Sequence, residues 1–455
     1  MRVSLPMKHT KWLVLGLVLA LVAVTGVLIY QNRSTDTSAA GSDLVTETVV
    51  VTPTAELYGK PSADGTESLA PDAPTSVPGT SISPVPASPS ATPASSATPE
   101  VSAAPSSLAP GQVPADGSRK PTNIPMTKLK PGEKAPQFII FSFDGVGSSE
   151  KINAFMDAAA PTNSRMDGFL TDLYLLTDDK ADLYTAPGGT KGKAAAGFGG
   201  DAAEVIKRVN DLNKFYALGN EVGTHYNGHF CELGANWSTD QWNNEIDQAM
   251  DFFQNWKKLD NLPDAPDLAI PVSEIKGGRT PCLAGRFDQL TPAWKKHGWT
   301  YDSSGENKFT GIAWPQQEDG IWQFPIPTVY SPGFDVPGWK NPLVKAMDYN
   351  FWAKFNNAVN DPSSQPQMTK IVADTYSYMY DQAYNGNRAP VIVANHFNNW
   401  NGNSFNPAAL QFMSEKCGQP DTYCATFGDV ISWMQLQDPA VLKSLQDAAP
   451  VAAGP

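Results

Sequence analysis

Three histidines stand in sequence contexts that suit metal binding or proton transfer. His225 and His229 lie in the segment G-T-H-Y-N-G-H, and His396 follows the apolar run V-I-V-A-N. The whole chain has only 5 histidines, so three of them in such motifs deserve a chemical explanation. Two neutral imidazoles a few residues apart can converge on one divalent ion, and the first hypothesis is a site built from all three.

The residues between His225 and His229 exclude one class of metalloenzyme. A zincin protease needs the pattern H-E-x-x-H, in which the glutamate is the general base. This chain has Tyr226 in place of that glutamate, and Asn227-Gly228 favours a turn over a helix. The pair is also compatible with two unrelated histidines, and a hydrolase would have to take its base from elsewhere.

Three charged residues are candidates for the missing roles. Asp144 ends the apolar run F-I-I-F-S-F, where a carboxylate can face a cleft and accept a proton, although it could also be a turn or helix-capping residue. Arg279 in G-G-R-T-P-C could hold that carboxylate through a bidentate contact, or lie on the surface. Asp302 in Y-D-S-S could pair with a histidine and raise its pKa, or be a loop aspartate.

The elements that must position these residues alternate along the chain. Short apolar runs predict strands at residues 137–144, 172–177, 220–224, 299–302, 322–329, 390–395 and 423–427. Helical spacing predicts helices at residues 202–218, 239–259 and 369–384. This alternation favours one parallel α/β domain, most simply a barrel, in which chemistry lies at the C-terminal ends of the strands. Asp144, His225, Asp302 and His396 all fall at such ends.

The N-terminal part of the chain predicts a membrane anchor and a spacer. Residues 12–30 are apolar or neutral and follow Arg2, Lys8 and Lys11, which predicts a transmembrane signal anchor with a cytoplasmic N-terminus. A cleaved signal peptide is the alternative, and then the protein would be secreted. Residues 32–130 are rich in Ser, Thr, Ala and Pro and predict a disordered stalk. The catalytic domain is expected at residues 131–440, outside the cell membrane, and a disordered tail at 441–455.

Charge and cysteine content narrow the function further. The net charge of -13 argues against a nucleic-acid partner. The 4 cysteines lie on the presumed outer side, where disulfides form. Cys417 and Cys424 flank a short loop and are expected to pair, which leaves Cys231 to pair with Cys282. A catalytic thiol is the weaker alternative because no uncommitted histidine remains to activate it.

Taken in order, five segments resemble the motifs of the polysaccharide deacetylases of carbohydrate esterase family four, which share the NodB homology domain. F-S-F-D-G is similar to the usual T-F-D-D, H-Y-N-G-H to H-[S/T]-x-x-H, R-T-P-C to R-x-P-Y, Y-D-S-S to the fourth motif and A-N-H to L-x-H. The resemblance covers roughly residues 135–435, and the motifs are most similar to those of the chitin-deacetylase-like branch. It implies a distorted barrel of about seven parallel strands.

The resemblance also implies a role for each motif residue. Asp144 would be the base, His225 and His229 the ligands of a divalent metal such as zinc, and His396 the general acid. Arg279 would orient Asp144, and Asp302 would raise the pKa of His396. The backbone N–H of Cys282 would help to stabilise the oxyanion. The implied reaction is metal-dependent removal of the N-acetyl group from N-acetylhexosamine units of chitin-like or cell-wall peptidoglycan glycans.

One departure from the family pattern bears directly on metal binding. Gly145 stands where the family has a second aspartate as third metal ligand. Water could complete the metal shell, Asp144 could move to the metal, or another acid could substitute. Asp178 and Asp179 follow the predicted strand at 172–177 and are the proposed substitutes. The alternative function is a degenerate member that binds cell-wall glycan without turnover, or that serves as a structural wall protein.

Overall fold

A mostly parallel sheet of nine strands organises the part of the chain that the structure describes, residues 111–114, 118–339 and 341–455. In this computed structural model, the strands of the sheet are β1 (Gln137–Gly145), β2 (Asp167–Leu170), β3 (Glu221–Thr224), β4 (Gly277–Gly278), β5 (Tyr301–Asp302), β6 (Gln316–Glu318), β7 (Ile321–Gln323), β10 (Val391–His396) and β11 (Thr422–Cys424). Strands β8 (Thr328–Tyr330) and β9 (Leu343–Lys345) form a separate two-stranded sheet.

The described helices lie between these strands and after the last one. They are α1 (Ser149–Ala159), α2 (Ala202–Ala217), α3 (Cys231–Asn236), α4 (Thr239–Leu259), α5 (Phe287–Lys296), α6 (Asp348–Asn356), α7 (Gln365–Asn385), α8 (Trp400–Asn403), α9 (Phe405–Lys416), α10 (Phe427–Leu436) and α11 (Pro439–Gln446). This arrangement is the mixed α/β fold that the alternating pattern predicts. The strand order β10-β1-β2-β3-β4-β5-β7 is parallel throughout, and β6 joins β7 antiparallel at the edge.

The register of the sheet brings the predicted site residues to one edge. Asp144 in β1 is paired directly with His396 in β10. Thr224 in β3 is paired with Gly278 in β4, which in turn is paired with Asp302 in β5. His225 and Arg279 are the next residues along their chains after Thr224 and Gly278. Because all these strands are parallel, their C-terminal ends meet at the same edge.

Aromatic rings fill the space between the sheet and the start of α10. Phe427 stacks on Phe169 and on Tyr301, with ring centroids 5.6 and 5.2 Å apart. The first N–H groups of α10 donate to buried carboxyl groups at the opposite strand ends, Phe427 N to Asp167 at 3.1 Å and Gly428 N to Glu221 at 2.8 Å. The positive end of the helix dipole favours such contacts, so α10 is fixed against the N-terminal edge of the sheet.

Several predicted elements lie where the sequence places them. β1, β3 and β10 agree with the predictions to within about two residues, and α4 agrees at both ends. Helix α4 begins after Ser238, whose side chain accepts a hydrogen bond from the Gln241 backbone N–H. The Gln241 side chain in turn accepts one from the Ser238 backbone N–H.

Two strand predictions are wrong. Residues 172–175 form a 3-10 helix, and the strand at this place in the sheet is β2, which precedes it. Strand β2 contains Asp167 and Gly168, which have low β propensity, so its pattern is not that of an apolar strand. The predicted strand 322–329 is divided into β7 and β8, because Pro325 and Pro327 between them cannot donate to a ladder.

The domain extends beyond the predicted boundaries 131 and 440 on both sides. Before residue 131, Ile124 is buried and Lys120 N donates to Ala217 O at 3.1 Å. After residue 440, helix α11 continues to Gln446 and Val451 forms a bridge with Ile312. These contacts bury apolar side chains in segments that were expected to be a stalk and a tail, so both ends of the domain are packed.

The predicted anchor at residues 12–30 and most of the predicted stalk lie outside the described residues. Within the described ranges, no helix has the length and apolar content needed to cross a membrane. Both predicted disulfides, Cys231–Cys282 and Cys417–Cys424, are confirmed.

Candidate functional site

Arg279 connects three segments of the site through its hydrogen bonds. Its side chain is fully buried, and each nitrogen has an acceptor: Nε donates to Ser303 O at 3.2 Å, and Nη1 to Asp144 Oδ1 at 2.7 Å. Nη2 donates to Ser142 Oγ at 2.9 Å and to Ser303 Oγ at 2.8 Å. The predicted contact between Arg279 and Asp144 is therefore present, but through one nitrogen rather than two. A buried arginine with an acceptor on each of its three nitrogens holds a fixed orientation.

Asp144 is buried, and Arg279 contacts only one of its two carboxyl oxygens. It is 4% exposed, and its Oδ2 accepts no hydrogen bond from a described residue. Burial alone would raise the pKa of Asp144, but the positive charge of Arg279, with smaller contributions from His225 and His396, lowers the pKa below its ordinary value. Asp144 is therefore an ionised carboxylate with one available oxygen.

His396 faces that available oxygen. Its Nε2 lies 3.9 Å from Asp144 Oδ2, and its ring packs against Trp400 with centroids 4.8 Å apart. On the other side, His396 Nδ1 lies 2.9 Å from Asp348 Oδ1, and the His396 backbone N–H donates to Asp348 Oδ2 at 2.6 Å. A carboxylate can only accept, so Nδ1 carries the proton in this contact.

The partner of His396 is therefore Asp348 and not Asp302. Burial alone would lower the pKa of His396, but the charge and hydrogen bond of Asp348, and the charge of Asp144, raise it above its ordinary value. Sequence reasoning missed Asp348, which occupies the first position of α6 and has the pattern of an ordinary acidic residue in a first helical turn. Its backbone is brought to the site by a bridge between Met347 and Ala394.

Asp302 has a different position and different contacts. Its Oδ1 accepts the Ser304 hydroxyl at 2.6 Å, and its Oδ2 accepts the N–H groups of Ser304 and Gly305 at 2.9 and 3.1 Å. The Ser304 hydroxyl oxygen in turn accepts Thr280 N–H at 2.7 Å. Burial raises the pKa of Asp302 to about 6, although these hydrogen bonds oppose the increase. Asp302 therefore braces the segment that follows Arg279.

His225 and His229 lie side by side, close to Asp144 and His396. Their ring centroids are 5.2 Å apart, and both side chains are buried. His225 Nδ1 lies 2.8 Å from Arg279 O, so it must donate, and the lone pair of Nε2 then has no hydrogen-bond partner among the described residues. Burial lowers the pKa of His225 to about 4 and that of His229 to about 3. Neutral imidazoles oriented by a backbone carbonyl are typical metal ligands.

At position 145, where the family pattern has its third ligand, a Cβ atom would make only ordinary van der Waals contacts. A Cβ atom at Gly145 would lie 3.7 Å from a ring carbon of Tyr174 and 3.8 Å from Thr171 Oγ1. Gly145 also has a φ of +86°, a conformation that side-chain-bearing residues adopt at a cost. The donor set at this site therefore fits a divalent metal through two imidazoles, with no carboxylate from position 145.

Asp178 and Asp179, the proposed substitute ligands, are exposed and have other partners. They begin a 3-10 helix, Asp178–Leu183, and both are exposed. Asp178 accepts Gly200 N–H at 3.2 Å, and Asp179 accepts the Thr177 hydroxyl at 2.6 Å and pairs with Lys180. The expectation that they follow a strand was wrong, because residues 172–177 form no strand here.

Cys282 lies directly beside the histidine pair. It has a left-handed backbone with a φ of 56°, and its disulfide joins the segment after Arg279 to the start of α3. Among the described residues, the group of three histidine, cysteine or acidic ligand atoms within 4.8 Å of one another is His229, Cys231 and Cys282. The two sulfurs are bonded to each other, so they offer no thiolate while the bridge is intact.

Of the aromatic residues near the motifs, most belong to the core. Tyr226, Trp299 and Trp314 are 2%, 4% and 1% exposed. Tyr226 accepts the Trp294 indole N–H at 2.8 Å, which fixes it inside the domain. Trp400 is only half-buried and its ring contacts His396, so it is the most exposed aromatic residue of this set.

Comparison with known proteins gives structural neighbours but no close relative. No family model and no curated protein matches the sequence. A Mycobacterium smegmatis protein assigned as a polysaccharide deacetylase is 12% identical, with 70% of this chain and 96% of that chain covered and a TM-score of 0.40. A family 4 carbohydrate esterase from Streptomyces lividans, in complex with acetate, is 11% identical. The match covers 65% of this chain and 95% of that chain, with a TM-score of 0.31.

A pseudoenzyme of the same esterase family, from Bacillus anthracis, is also similar. It is 8% identical, with 64% of this chain and 65% of that chain covered and a TM-score of 0.31. The structural neighbours of this chain are thus polysaccharide deacetylases, and they include a protein described as a pseudoenzyme. At these identities the roles of single residues rest on the contacts within this chain.

Proposed function

We propose that this chain is a metal-dependent hydrolase that removes N-acetyl groups from glycans containing N-acetylhexosamine, either chitin-like or peptidoglycan, on the outer side of the cell membrane. The observation that carries the proposal is the pair formed by Asp144 Oδ2 and His396 Nε2, 3.9 Å apart. One group has a lowered pKa and the other a raised pKa, and each is held on its far side by a buried charged partner. A carboxylate base and an imidazolium acid facing each other suit hydrolysis of an amide.

The two groups divide the proton transfers of that reaction. Asp144 Oδ2 accepts a proton from the water that attacks the acetyl carbonyl carbon, so a C–O bond forms. His396 Nε2 then donates its proton to the nitrogen, the C–N bond breaks, and the products are an amine and acetic acid, which ionises to acetate. Proton exchange with water returns Asp144 to the carboxylate and His396 to the imidazolium. Arg279 keeps Asp144 ionised and oriented, and Asp348 keeps His396 protonated and oriented.

His225 and His229 would hold the metal, for which zinc is the proposed ion. A bound divalent metal supplies Lewis-acid polarisation and lowers the pKa of water. The buried lone pair on His225 Nε2 supports this assignment, because an unpartnered buried polar atom is unfavourable unless something binds it. The backbone N–H of Cys282 is the proposed donor to the oxyanion, as the motif resemblance implies.

A second function is favoured by one specific observation, the absence of a side chain at Gly145. Loss of a carboxylate removes both charge and one protein ligand, which weakens binding of a divalent ion. The second candidate is therefore a protein that keeps the cleft and binds N-acetylated glycan without turnover. The half-buried Trp400 beside His396 would serve either function, since aromatic faces pack well against sugar rings.

One experiment on the full chain separates the two candidates. Bound metal and acetate release from N-acetylglucosamine oligomers are measured for the wild type, Asp144→Asn and Gly145→Asp, with the exposed Asp251→Asn on α4 as a matched control. The enzyme proposal expects acetate release by the wild type and by Asp251→Asn, and its loss in Asp144→Asn. Release by Gly145→Asp alone would identify a glycan-binding protein instead. Absence of release from all four proteins would refute deacetylation of these substrates.

A further inference from the structure

The turn between the two proposed ligand histidines is fixed by a buried carboxyl group on a neighbouring helix. Glu245 lies in α4 and is 1% exposed. Its Oε1 accepts the backbone N–H of Asn227 at 3.2 Å and that of Gly228 at 3.3 Å. These two residues are the ones that separate Tyr226 from His229, so Glu245 contacts the middle of the turn through its backbone.

Three further contacts hold the same turn. The Tyr184 hydroxyl donates to both carboxyl oxygens of Glu245 at 3.0 Å, which fixes the orientation of the carboxyl group. The Asn227 side chain donates to the Glu245 backbone carbonyl at 2.8 Å, and Ala195 N donates to Gly228 O at 2.7 Å. Helix α4 and the segments around residues 184 and 195 thus converge on the two residues in the middle of the turn.

The backbone of the turn explains why such contacts are needed. Tyr226 and His229 have φ values of 59° and 56°, in the left-handed region that non-glycine residues rarely adopt. At Gly228, a Cβ atom would lie 2.4 Å from the Tyr184 hydroxyl oxygen, so only glycine allows this close approach. A conformation with two such residues persists when surrounding groups impose it.

We propose that Glu245 is a positioning residue that sets the separation and direction of the His225 and His229 rings for one metal ion. The inference rests on the proposed function, because it assigns those rings as ligands. The carboxyl group accepts the two N–H groups that the turn directs into the protein, and Tyr184 holds that carboxyl group in place. Removal of Glu245 leaves two buried N–H donors without an acceptor, and the turn can then relax to a different ring arrangement.

The first test measures metal affinity on the full chain. Metal-free protein is titrated with Co²⁺ and followed by visible absorption, for the wild type, Glu245→Ala, Glu245→Gln and the exposed control Asp251→Ala on the same helix. Changes to residues that orient metal ligands typically weaken metal binding about 10–100-fold, and this loss is expected for Glu245→Ala. Glu245→Gln is expected to bind more tightly than Glu245→Ala, because its amide oxygen can still accept both N–H groups. Asp251→Ala should bind as the wild type does.

The second test does not depend on metal. Amide hydrogen exchange of Asn227 and Gly228 is measured by NMR in the metal-free proteins, and both amides are expected to exchange faster in Glu245→Ala than in the wild type and in Asp251→Ala. Wild-type affinity for Co²⁺ in Glu245→Ala, or unchanged slow exchange of these two amides, would overturn the positioning role while leaving the proposed function standing. Absence of Co²⁺ binding by the wild type would instead count against the metal site, and the exchange rates would still decide whether Glu245 fixes the turn.

Discussion

Replacement of Asp348 by asparagine should move the alkaline limb of the activity profile to lower pH. His396 must be protonated to act as the acid, so activity falls as the pH rises through its pKa. In the structure the pKa of His396 is raised because Asp348, 1% exposed, accepts from Nδ1 at 2.9 Å and from the backbone N–H at 2.6 Å. The asparagine keeps the size of the side chain but removes its charge.

The expected size of this change follows from the buried, charged hydrogen bond. Such a bond contributes about 1.5–3 kcal/mol, and 1.36 kcal/mol corresponds to one pKa unit. At a pH above the limb, kcat/KM of Asp348→Asn should therefore fall about 10- to 100-fold relative to the wild type, and the limb itself should move to lower pH. Because His396 is only 8% exposed, solvent screening reduces this figure little.

The assay is the pH dependence of kcat/KM for acetate release, with Asp302→Asn as the matched control. Asp302 is an equally buried aspartate at the same edge of the sheet, but its oxygens accept from Ser304 and Gly305 rather than from His396. Asp302→Asn should leave the alkaline limb where it is in the wild type. A shift in Asp302→Asn with none in Asp348→Asn would refute the assignment of Asp348 as the partner of His396.

Two further predictions concern stability. Arg279→Met should lower the free energy of unfolding by about 3–5 kcal/mol in denaturant titrations, because it leaves the buried Asp144 carboxylate unpaired; a loss under about 1 kcal/mol would contradict this role. Removal of the Cys231–Cys282 bridge, whose cysteines are 51 positions apart, should destabilise the chain by about 4 kcal/mol in the chain-entropy treatment. Removal of the Cys417–Cys424 bridge, whose cysteines are 7 positions apart, should cost about 2 kcal/mol, and a reversed order in urea unfolding of the two serine double variants would contradict the argument.

The residues whose location at the sheet edge the sequence could indicate are those whose position follows from one strand. Asp144, His225 and His396 each end or directly follow an apolar run, and parallel strands bring such ends to a common edge. The direct pairing of Asp144 with His396 is a consequence of the register between β1 and β10. Local pattern and one general rule of parallel sheets are sufficient for this part of the site.

The residues that the sequence did not indicate depend on contacts between distant segments. Asp348 lies 48 residues before His396 and reaches it through the bridge between Met347 and Ala394. Glu245 looks like one acidic residue among several on an amphipathic helix, and only the packing of α4 against the turn distinguishes it. Neither contact has a local signature, because the loops that create them have no periodic pattern.

Arg279 and Asp348 act on the same equilibrium, the position of the proton between His396 and Asp144. A direct proton transfer from His396 to Asp144 would leave a neutral acid facing a neutral imidazole, and neither could then perform its role. That transfer would also leave Arg279 facing an uncharged carboxyl group at 2.7 Å and Asp348 facing an uncharged ring at 2.9 Å. Each partner therefore opposes the transfer, and both favour the ionised base together with the protonated acid. Arg279 and Asp348 both oppose transfer of the same proton from His396 to Asp144. The losses of activity caused by removing each residue should therefore not be additive, and a double-variant cycle would measure their coupling.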